Sequence, residues 1–177
     1  METLILFARA PVAGKTRTRL AKDRGDEQAL RLATGFFTDV AQLCGRWRRE
    51  HGGAIDGNRK LAFYVDDPGD PIVVDLAFHA GARLEKQVGD DPGQRLQHAF
   101  DAELARGARA VCALSTDSPT LQLHLLDHAF RALLWERVIL GPTFEGGYGL
   151  VGTQRPAPTM FTSIPWSTPA VRAKTAA

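Results

Sequence analysis

The sequence predicts an α/β fold, with a mostly parallel central sheet and helices on both faces. Three observations predict it. Short runs such as Leu4–Ala8, Leu61–Val65 and Ala110–Leu114 are apolar without a break, the pattern of strands buried on both faces. Stretches with apolar residues at three- and four-residue steps fall between those runs, so strand and helix alternate as a parallel sheet requires. Polar turns come after the strands at Arg9–Arg19, Ser115–Pro119 and Phe144–Gly147, on the edge where such sheets bind ligands.

Leu4–Ala8 is the first strand, and a loop with Pro11 and Gly14 leads from it into a helix-like stretch. Asp26 to His51 reads as a long helix, with Leu30, Ala33, Phe37, Val40, Ala41 and Cys44 on one face. Arg46, Arg48 and Arg49 suit its C-terminal dipole, and Gly52-Gly53 stops it. Leu61–Val65 is a second strand, Ile72 to His79 a short helix, and Ala82 to Gln87 a poor strand. The turn at Gly89–Gly93 precedes a helix patterned by Leu96, Ala99, Phe100, Glu103, Leu104 and Ala105 and closed by Gly107. Ala110–Leu114 is the third strong strand, succeeded by a helix from about Leu121 to Leu134. Val138–Gly141 and Tyr148–Gly152 complete the strands, and a tail rich in Pro, Thr and Ser ends the chain.

Length and composition bound the function. With 177 residues the chain is expected to form a single domain spanning 1–177 with a sizeable core. A net charge of +2 does not by itself argue for nucleic acid as a partner. The charge is uneven, because six Lys or Arg and one acid, Asp23, lie between Arg9 and Arg24. A local field of that kind suits a small polyanion. Cys44 and Cys112 lack C-x-x-C spacing and read as small core residues of a reducing compartment, with no disulfide indicated. No segment reaches the ~18 apolar residues of a membrane span. The first apolar run has no basic region before it, so no secretory signal is expected. The expectation is a cytoplasmic protein with no membrane and no nucleic-acid partner.

Four turns carry candidate chemistry. Arg9–Leu20 joins a buried strand to a helix with cations at Arg9, Lys15, Arg17 and Arg19, a phosphate-binding design in which backbone N–H groups and cationic heads face one anion. Gly14-Lys15-Thr16 matches the end of a P-loop, but Arg9 stands where its first glycine is required. Asp117 comes after a buried strand and suits Mg²⁺ or Mn²⁺, which take oxygen ligands and bridge to phosphates. Equally, Asp117 or Ser118 could cap the next helix. Glu145, with Gly146 and Gly147, either binds a metal or an acceptor hydroxyl or is the solvated acid of a hairpin. Asp91 either accepts from a base or sugar or is an N-cap, with Arg95 one turn on. His124 and His128 share a helix face, but leucines surround them and no third ligand is near, which disfavours zinc. No arrangement suggests covalent catalysis.

These turns together resemble the bacterial nucleotide-diphospho-sugar transferase-like proteins of GT-A fold, a family described as glycosyltransferases, some linked to arsenosugar biosynthesis. The resemblance is carried by F-A-R-A-P-V-A-G-K-T-R-T-R-L at Phe7–Leu20, Q-V-G-D-D-P-G-Q-R-L at Gln87–Leu96 and S-T-D-S-P at Ser115–Pro119. G-P-T-F-E-G-G-Y at Gly141–Tyr148 and I-P-W-S-T-P at Ile164–Pro169 complete it. Five motifs in order cover essentially the whole chain. A more distant similarity is to guanylyltransferases of cofactor biosynthesis.

The resemblance implies a Rossmann-like sheet that holds a nucleotide or nucleotide-sugar. By it, Ala8, Arg9, Lys15, Arg17 and Arg19 contact the nucleotide and its phosphates, and Asp91 and Arg95 lie near base and ribose. Asp117 holds the divalent cation and, with Lys15 and Glu145, carries catalysis. Gly146, Gly147, Tyr148 and Trp166 line the side of a small acceptor. A homodimer is compatible with this reading. The implied reaction is metal-dependent glycosyl transfer from a nucleotide-diphospho-sugar. Nucleotidyl transfer releasing pyrophosphate is the sibling reading, and a catalytically idle nucleotide-binding domain is the rival.

The sequence departs from the family in three places. Phe144-Glu145 replaces an acid pair, and Pro92 and Leu96 replace Leu and Met. The family's later D-V-D-T-P-like segment has no counterpart before Ala177. The first and third departures favour the idle reading, and the basic loop and Asp117 favour the enzyme.

Overall fold

The computed structural model describes residues 1–50, 58–155 and 159–176. Six strands form one sheet: β1 (Glu2–Ala8), β2 (Arg59–Val65), β3 (Arg83–Lys86), β4 (Ala110–Ser115), β5 (Val138–Pro142) and β6 (Tyr148–Thr153). Their order is β3-β2-β1-β4-β6-β5. The β3-β2-β1-β4 side is parallel throughout, and β6 runs antiparallel to both β4 and β5. The sheet is therefore mostly parallel, as the sequence predicts, with one reversed strand.

The unbroken apolar strands are explained by burial on both faces. Leu4 and Leu6 of β1, Leu61, Phe63 and Val65 of β2, and Cys112 and Leu114 of β4 join one core cluster. Ile5, Ala62, Tyr64, Val111 and Ala113 alternate into a second cluster on the other face. Alternate side chains of a strand point to opposite faces, so a strand covered on both sides has no polar positions to spare.

The helices are α1 (Thr18–Arg24), α2 (Asp26–Arg49), α3 (Pro71–Ala80), α4 (Pro92–Ala105), α5 (Leu123–Ala132) and α6 (Val171–Thr175). The first core cluster takes Phe37, Val40, Cys44 and Trp47 from α2, Val73 and Ala77 from α3, and Leu126 and Phe130 from α5. The second takes Leu96, Ala99 and Phe100 from α4, together with Met160 and Phe161 of the C-terminal segment. Helices thus cover both faces.

Local signals explain most boundaries. Asp26 and Glu27 open α2 and Arg46, Arg48 and Arg49 close it, each sign matched to the dipole end it occupies. The predicted stop at Gly52-Gly53 lies outside the described residues. Asp70 accepts from the Ile72 and Val73 N–H groups, Pro71 opens α3, and Gly81 ends it in the left-handed region. The helix-like stretch after the first loop is a separate two-turn α1, divided from α2 by Gly25 at φ 82°.

One expectation changes, at α5, and the acid within the α4 pattern is buried as that pattern implies. Glu103 sits on the apolar face of α4 and is buried, because it accepts from Tyr64 Oη at 2.7 Å, from Arg106 at 2.8 Å and from Arg83. A buried carboxylate persists when it is paired and hydrogen-bonded in this way. Also, α5 begins at Leu123 with Gln122 as its N-cap residue, so neither Asp117 nor Ser118 caps it. The cap reading of those two residues fails because the turn after β4 is longer than the spacing suggested.

Candidate functional site

The parallel strands end along one edge of the sheet, and the loops after β1, β2, β3 and β4 meet there with the β5–β6 hairpin. The loop after β1 is wound around one hydroxyl. Thr16 Oγ1 accepts from the Val12 N–H at 2.9 Å and donates to the Ala10 carbonyl at 3.1 Å. Val12 O accepts from the N–H groups of both Lys15 and Thr16 at 3.1 Å. In a P-loop that hydroxyl would face Mg²⁺; here the loop itself consumes it, in agreement with Arg9 in place of the first glycine. The loop is anchored to the next strand, because the Ala10 N–H donates to Asp66 Oδ1 at 2.8 Å.

Winding the loop leaves its cations outside. Arg9, Lys15 and Arg19 are exposed. Arg17 is held instead. It occupies the left-handed region at φ 48°, ψ 51°, which β-carbon-bearing residues rarely adopt. Its guanidinium donates to Asp117 Oδ1 at 2.6 Å and to the Thr116 carbonyl at 3.5 Å, and lies 4.8 Å from the Phe36 ring centroid. The basic loop and the carboxylate after β4, 100 residues apart in the chain, are thus tied directly.

A second corner lies where β1, β2 and β3 end. Buried Gln87 donates to the Ala8 carbonyl at 2.8 Å and to the Tyr64 carbonyl at 3.0 Å, closing the gap between strand ends. Asp91 caps α4 by accepting from the Gln94 N–H at 2.9 Å, and Gln94 Oε1 accepts in return from Asp90 N–H at 2.9 Å. Arg95 donates to the Gly89 carbonyl at 2.8 Å. Asp91, as the N-cap of α4, and Arg95 therefore shape this turn.

The third corner is the hairpin and the C-terminal segment. Thr143 N–H donates to Gly147 O at 3.0 Å, closing the turn, and Glu145 is exposed at its tip. Gly146 has φ 83°, and a Cβ there would lie 2.3 Å from the Pro169 carbonyl oxygen, so this glycine permits both the turn and the approach. Tyr148 and Trp166 meet edge to face with centroids 6.4 Å apart. Burial pushes the Tyr148 hydroxyl pKa up, and the Thr175 hydroxyl bonded to it works the other way. On its other side Trp166 reaches the first turn of α4: a Cβ on Gly93 would stand 3.0 Å from Trp166 Nε1 and 2.4 Å from Phe161 O. The residues assigned to the acceptor side, Gly146, Gly147, Tyr148 and Trp166, are brought into one corner adjoining the Asp91 turn.

For a cation the donor set is thin. The Asp117 side chain is 68% exposed, and among the described residues no three His, Cys, Asp or Glu side chains are grouped to hold a metal. One accessible carboxylate fits Mg²⁺ or Mn²⁺ where phosphates and water complete the shell. It does not fit a protein-only site such as structural zinc, and His124 and His128 belong to no three-ligand group among the described residues.

Asp66 and Phe36 did not stand out in the sequence, and Thr16 and Gln87 stood there only within motifs, with no role of their own. Asp66 and Gln87 come directly after strands, which was a usable signal; the contact of Phe36 from mid-helix had none.

This edge, with its wound basic loop, paired arginine and aspartate and aromatic corner, sits on a fold shared with nucleotide-sugar and nucleotidyl transferases. A candidate nucleotide-diphospho-sugar transferase from Desulfovibrio desulfuricans G20 matches with a TM-score of 0.81 and 24% identity, over 99% of this chain and 73% of that one. A cytidylyltransferase from Leptospira borgpetersenii serovar Hardjo-bovis matches with a TM-score of 0.50 and 13% identity, over 86% of this chain and 60% of that one. CMP:2-keto-3-deoxy-manno-octonic acid synthetase, in complex with CTP, matches with a TM-score of 0.54 and 11% identity, over 99% and 82%. No curated protein matches the chain. The chain belongs to the family described as "Uncharacterized protein conserved in bacteria (DUF2064)", which it matches over residues 53–168.

Proposed function

We propose that the protein is a metal-dependent glycosyltransferase that uses a nucleotide-diphospho-sugar donor. The observation that carries this reading is the Arg17–Asp117 contact at 2.6 Å, which sets a cation for phosphate and a carboxylate for a divalent ion at one strand edge. Arg9, Lys15, Arg17 and Arg19 would bind the diphosphate, and Lys15 would stabilise the negative charge that grows on it as it leaves. Ala8, Asp91 and Arg95 would border the base and ribose. Asp117 would hold Mg²⁺ or Mn²⁺, which when bound neutralises diphosphate charge. Glu145 would orient the acceptor, with Gly146, Gly147, Tyr148 and Trp166 forming its side of the site and keeping water out. Cytoplasmic residence and a homodimer belong to the same proposal.

Nucleotidyl transfer is the second reading. It is favoured by the likeness to cytidylyltransferase folds, and it differs in releasing pyrophosphate in place of a nucleoside diphosphate.

Calorimetry with a panel of nucleoside triphosphates and nucleotide-sugars, with and without Mn²⁺, tests both. One nucleotide should bind in a Mn²⁺-dependent way, and the dependence should vanish in Asp117→Ala. Binding indifferent to metal and to the substitution would remove the metal role and leave an idle binding domain. A nucleotide-sugar as the tightest ligand supports glycosyl transfer, and a triphosphate supports nucleotidyl transfer.

A further inference from the structure

One nitrogen of Arg17, Nη2, holds two oxygens of the turn after β4. It donates to Asp117 Oδ1 at 2.6 Å and reaches the Thr116 carbonyl at 3.5 Å. Carboxylate and carbonyl oxygens are the donors that a hard divalent cation takes. At those two atoms the guanidinium already fills the place of a cation. A second cation approaching the same carboxylate meets that positive charge at close range and is repelled by it.

The placement of the guanidinium is built into the fold. The Arg17 backbone is left-handed at φ 48°, ψ 51°, and the guanidinium lies 4.8 Å from the ring centroid of Phe36 on α2. The arginine is the held partner and the carboxylate the accessible one, with side chains 25% and 68% exposed. An ion pair of that exposure is weak and gives way to a stronger ligand. For Arg17 that ligand is a phosphate, which a guanidinium can grip through two hydrogen bonds. For Asp117 it is a divalent ion, which carries twice the charge of the arginine.

We propose that the Arg17–Asp117 pair is an autoinhibitory latch that opens to a diphosphate and a divalent cation together, an inference that rests on the metal-dependent transferase reading. The diphosphate draws off the Arg17 guanidinium and releases Asp117 Oδ1 to the cation. The cation on Asp117 then keeps Arg17 on the diphosphate. While the pair is closed, neither side chain is free for its own ligand. The latch thus couples donor binding to metal binding and guards Asp117 against a cation that arrives alone.

The test measures each half separately on the full chain. Free Mn²⁺ is counted by electron paramagnetic resonance with no phosphate compound added, and pyrophosphate is titrated by calorimetry in buffer stripped of divalent ions. Arg17→Gly should bind Mn²⁺ at least about threefold tighter than wild type, the scale of one surface ion pair. Arg17→Asn, which also tolerates a left-handed backbone, serves if the glycine variant does not fold by circular dichroism. Arg19→Met removes the same charge from the same loop and should change Mn²⁺ affinity by less than about twofold, as a screened exposed charge does. Asp117→Ala should bind metal-free pyrophosphate at least about threefold tighter than wild type, on the same scale, and Glu145→Gln should not. Wild-type Mn²⁺ affinity in the folded Arg17 variants, an equal gain in Arg19→Met, or an Asp117→Ala gain no larger than that of Glu145→Gln would overturn the latch and leave the donor reading standing. Mn²⁺ bound by neither wild type nor the Arg17 variants would overturn the metal role of Asp117 and the latch with it. The expected gains in a protein that takes no nucleotide from the panel would support the latch and overturn the donor reading instead.

Discussion

Arg17 is the side chain that joins the basic loop to Asp117, and its backbone is left-handed at φ 48°. A left-handed backbone at a residue with a Cβ costs about 1–2 kcal/mol, and the contacts that hold it contribute little. Its partner Asp117 is mostly exposed, and ion pairs at such positions contribute ~0–1 kcal/mol. The guanidinium over Phe36 adds about 0.5–1 kcal/mol. Strain and contacts nearly cancel, so stability does not explain an arginine here. Arg17→Gly is expected to leave the melting temperature within about 4 °C of wild type, the shift of ~1 kcal/mol in a chain of this size, while nucleotide affinity falls at least tenfold. A melting curve and a titration on the same sample check both halves; a large drop in stability with affinity intact would make Arg17 structural. Asp66 is the opposite case. Asp66→Ala removes the acceptor that anchors the Ala10 N–H and should cost about 1–2 kcal/mol by urea unfolding. The cations of the basic loop were legible from the sequence. Which of them would be tied to Asp117 was not, since that depends on a contact between residues far apart in the chain.

At the scale of elements, the hairpin and the C-terminal segment hold each other. Arg172 N–H donates to Gly146 O at 3.1 Å, on the same residue whose missing Cβ admits Pro169. Gly146→Ala meets both a backbone oxygen and a positive φ, and is expected to destabilise by about 1–3 kcal/mol, seen as a lower melting temperature and a changed Trp166 environment in fluorescence. A melting temperature at the wild-type value would show that the hairpin does not depend on this approach. The paired glycines were visible as a turn, and the alternating apolar runs located the strands. The partners of Glu103 were not visible, because helical spacing gives the face a residue lies on but not the arginines that meet it there. They come from β2, β3 and the C-terminal end of α4.

The whole molecule responds to alkali and to thiol reagents in ways set by burial on both faces of the sheet. Burial pushes the Tyr64 hydroxyl above its ordinary value of 10.0, and its bond to Glu103 pushes the same way. The folded protein therefore keeps Tyr64 neutral while the unfolded chain ionises near pH 10. Tyr64 contributes its full stability below that pH and loses it as the pH rises further. Urea unfolding between pH 8 and pH 11 should show wild type losing its advantage over Tyr64→Phe as the pH rises; a constant difference would contradict the shift. Cys44 and Cys112 are free and buried in one core cluster, and burial raises both thiol pKa values. An aromatic disulfide reagent should find no thiol in the native protein at pH 8 and two after guanidinium unfolding. Reaction of either in the native state would mean local opening of the core.

The sequence alone determined the alternation of strand and helix, the burial of the strands on both faces and the edge of the sheet where the candidate site residues gather. Those features are written in the local period of apolar residues and in the polar turns at the strand ends, and a period needs only neighbouring residues to be read. Tertiary structure decided the strand order β3-β2-β1-β4-β6-β5, the pairing of Arg17 with Asp117 and the internal use of Thr16, Asp91 and Arg95. Each of these depends on which distant segments come within a few ångströms of each other, and no local pattern encodes that distance.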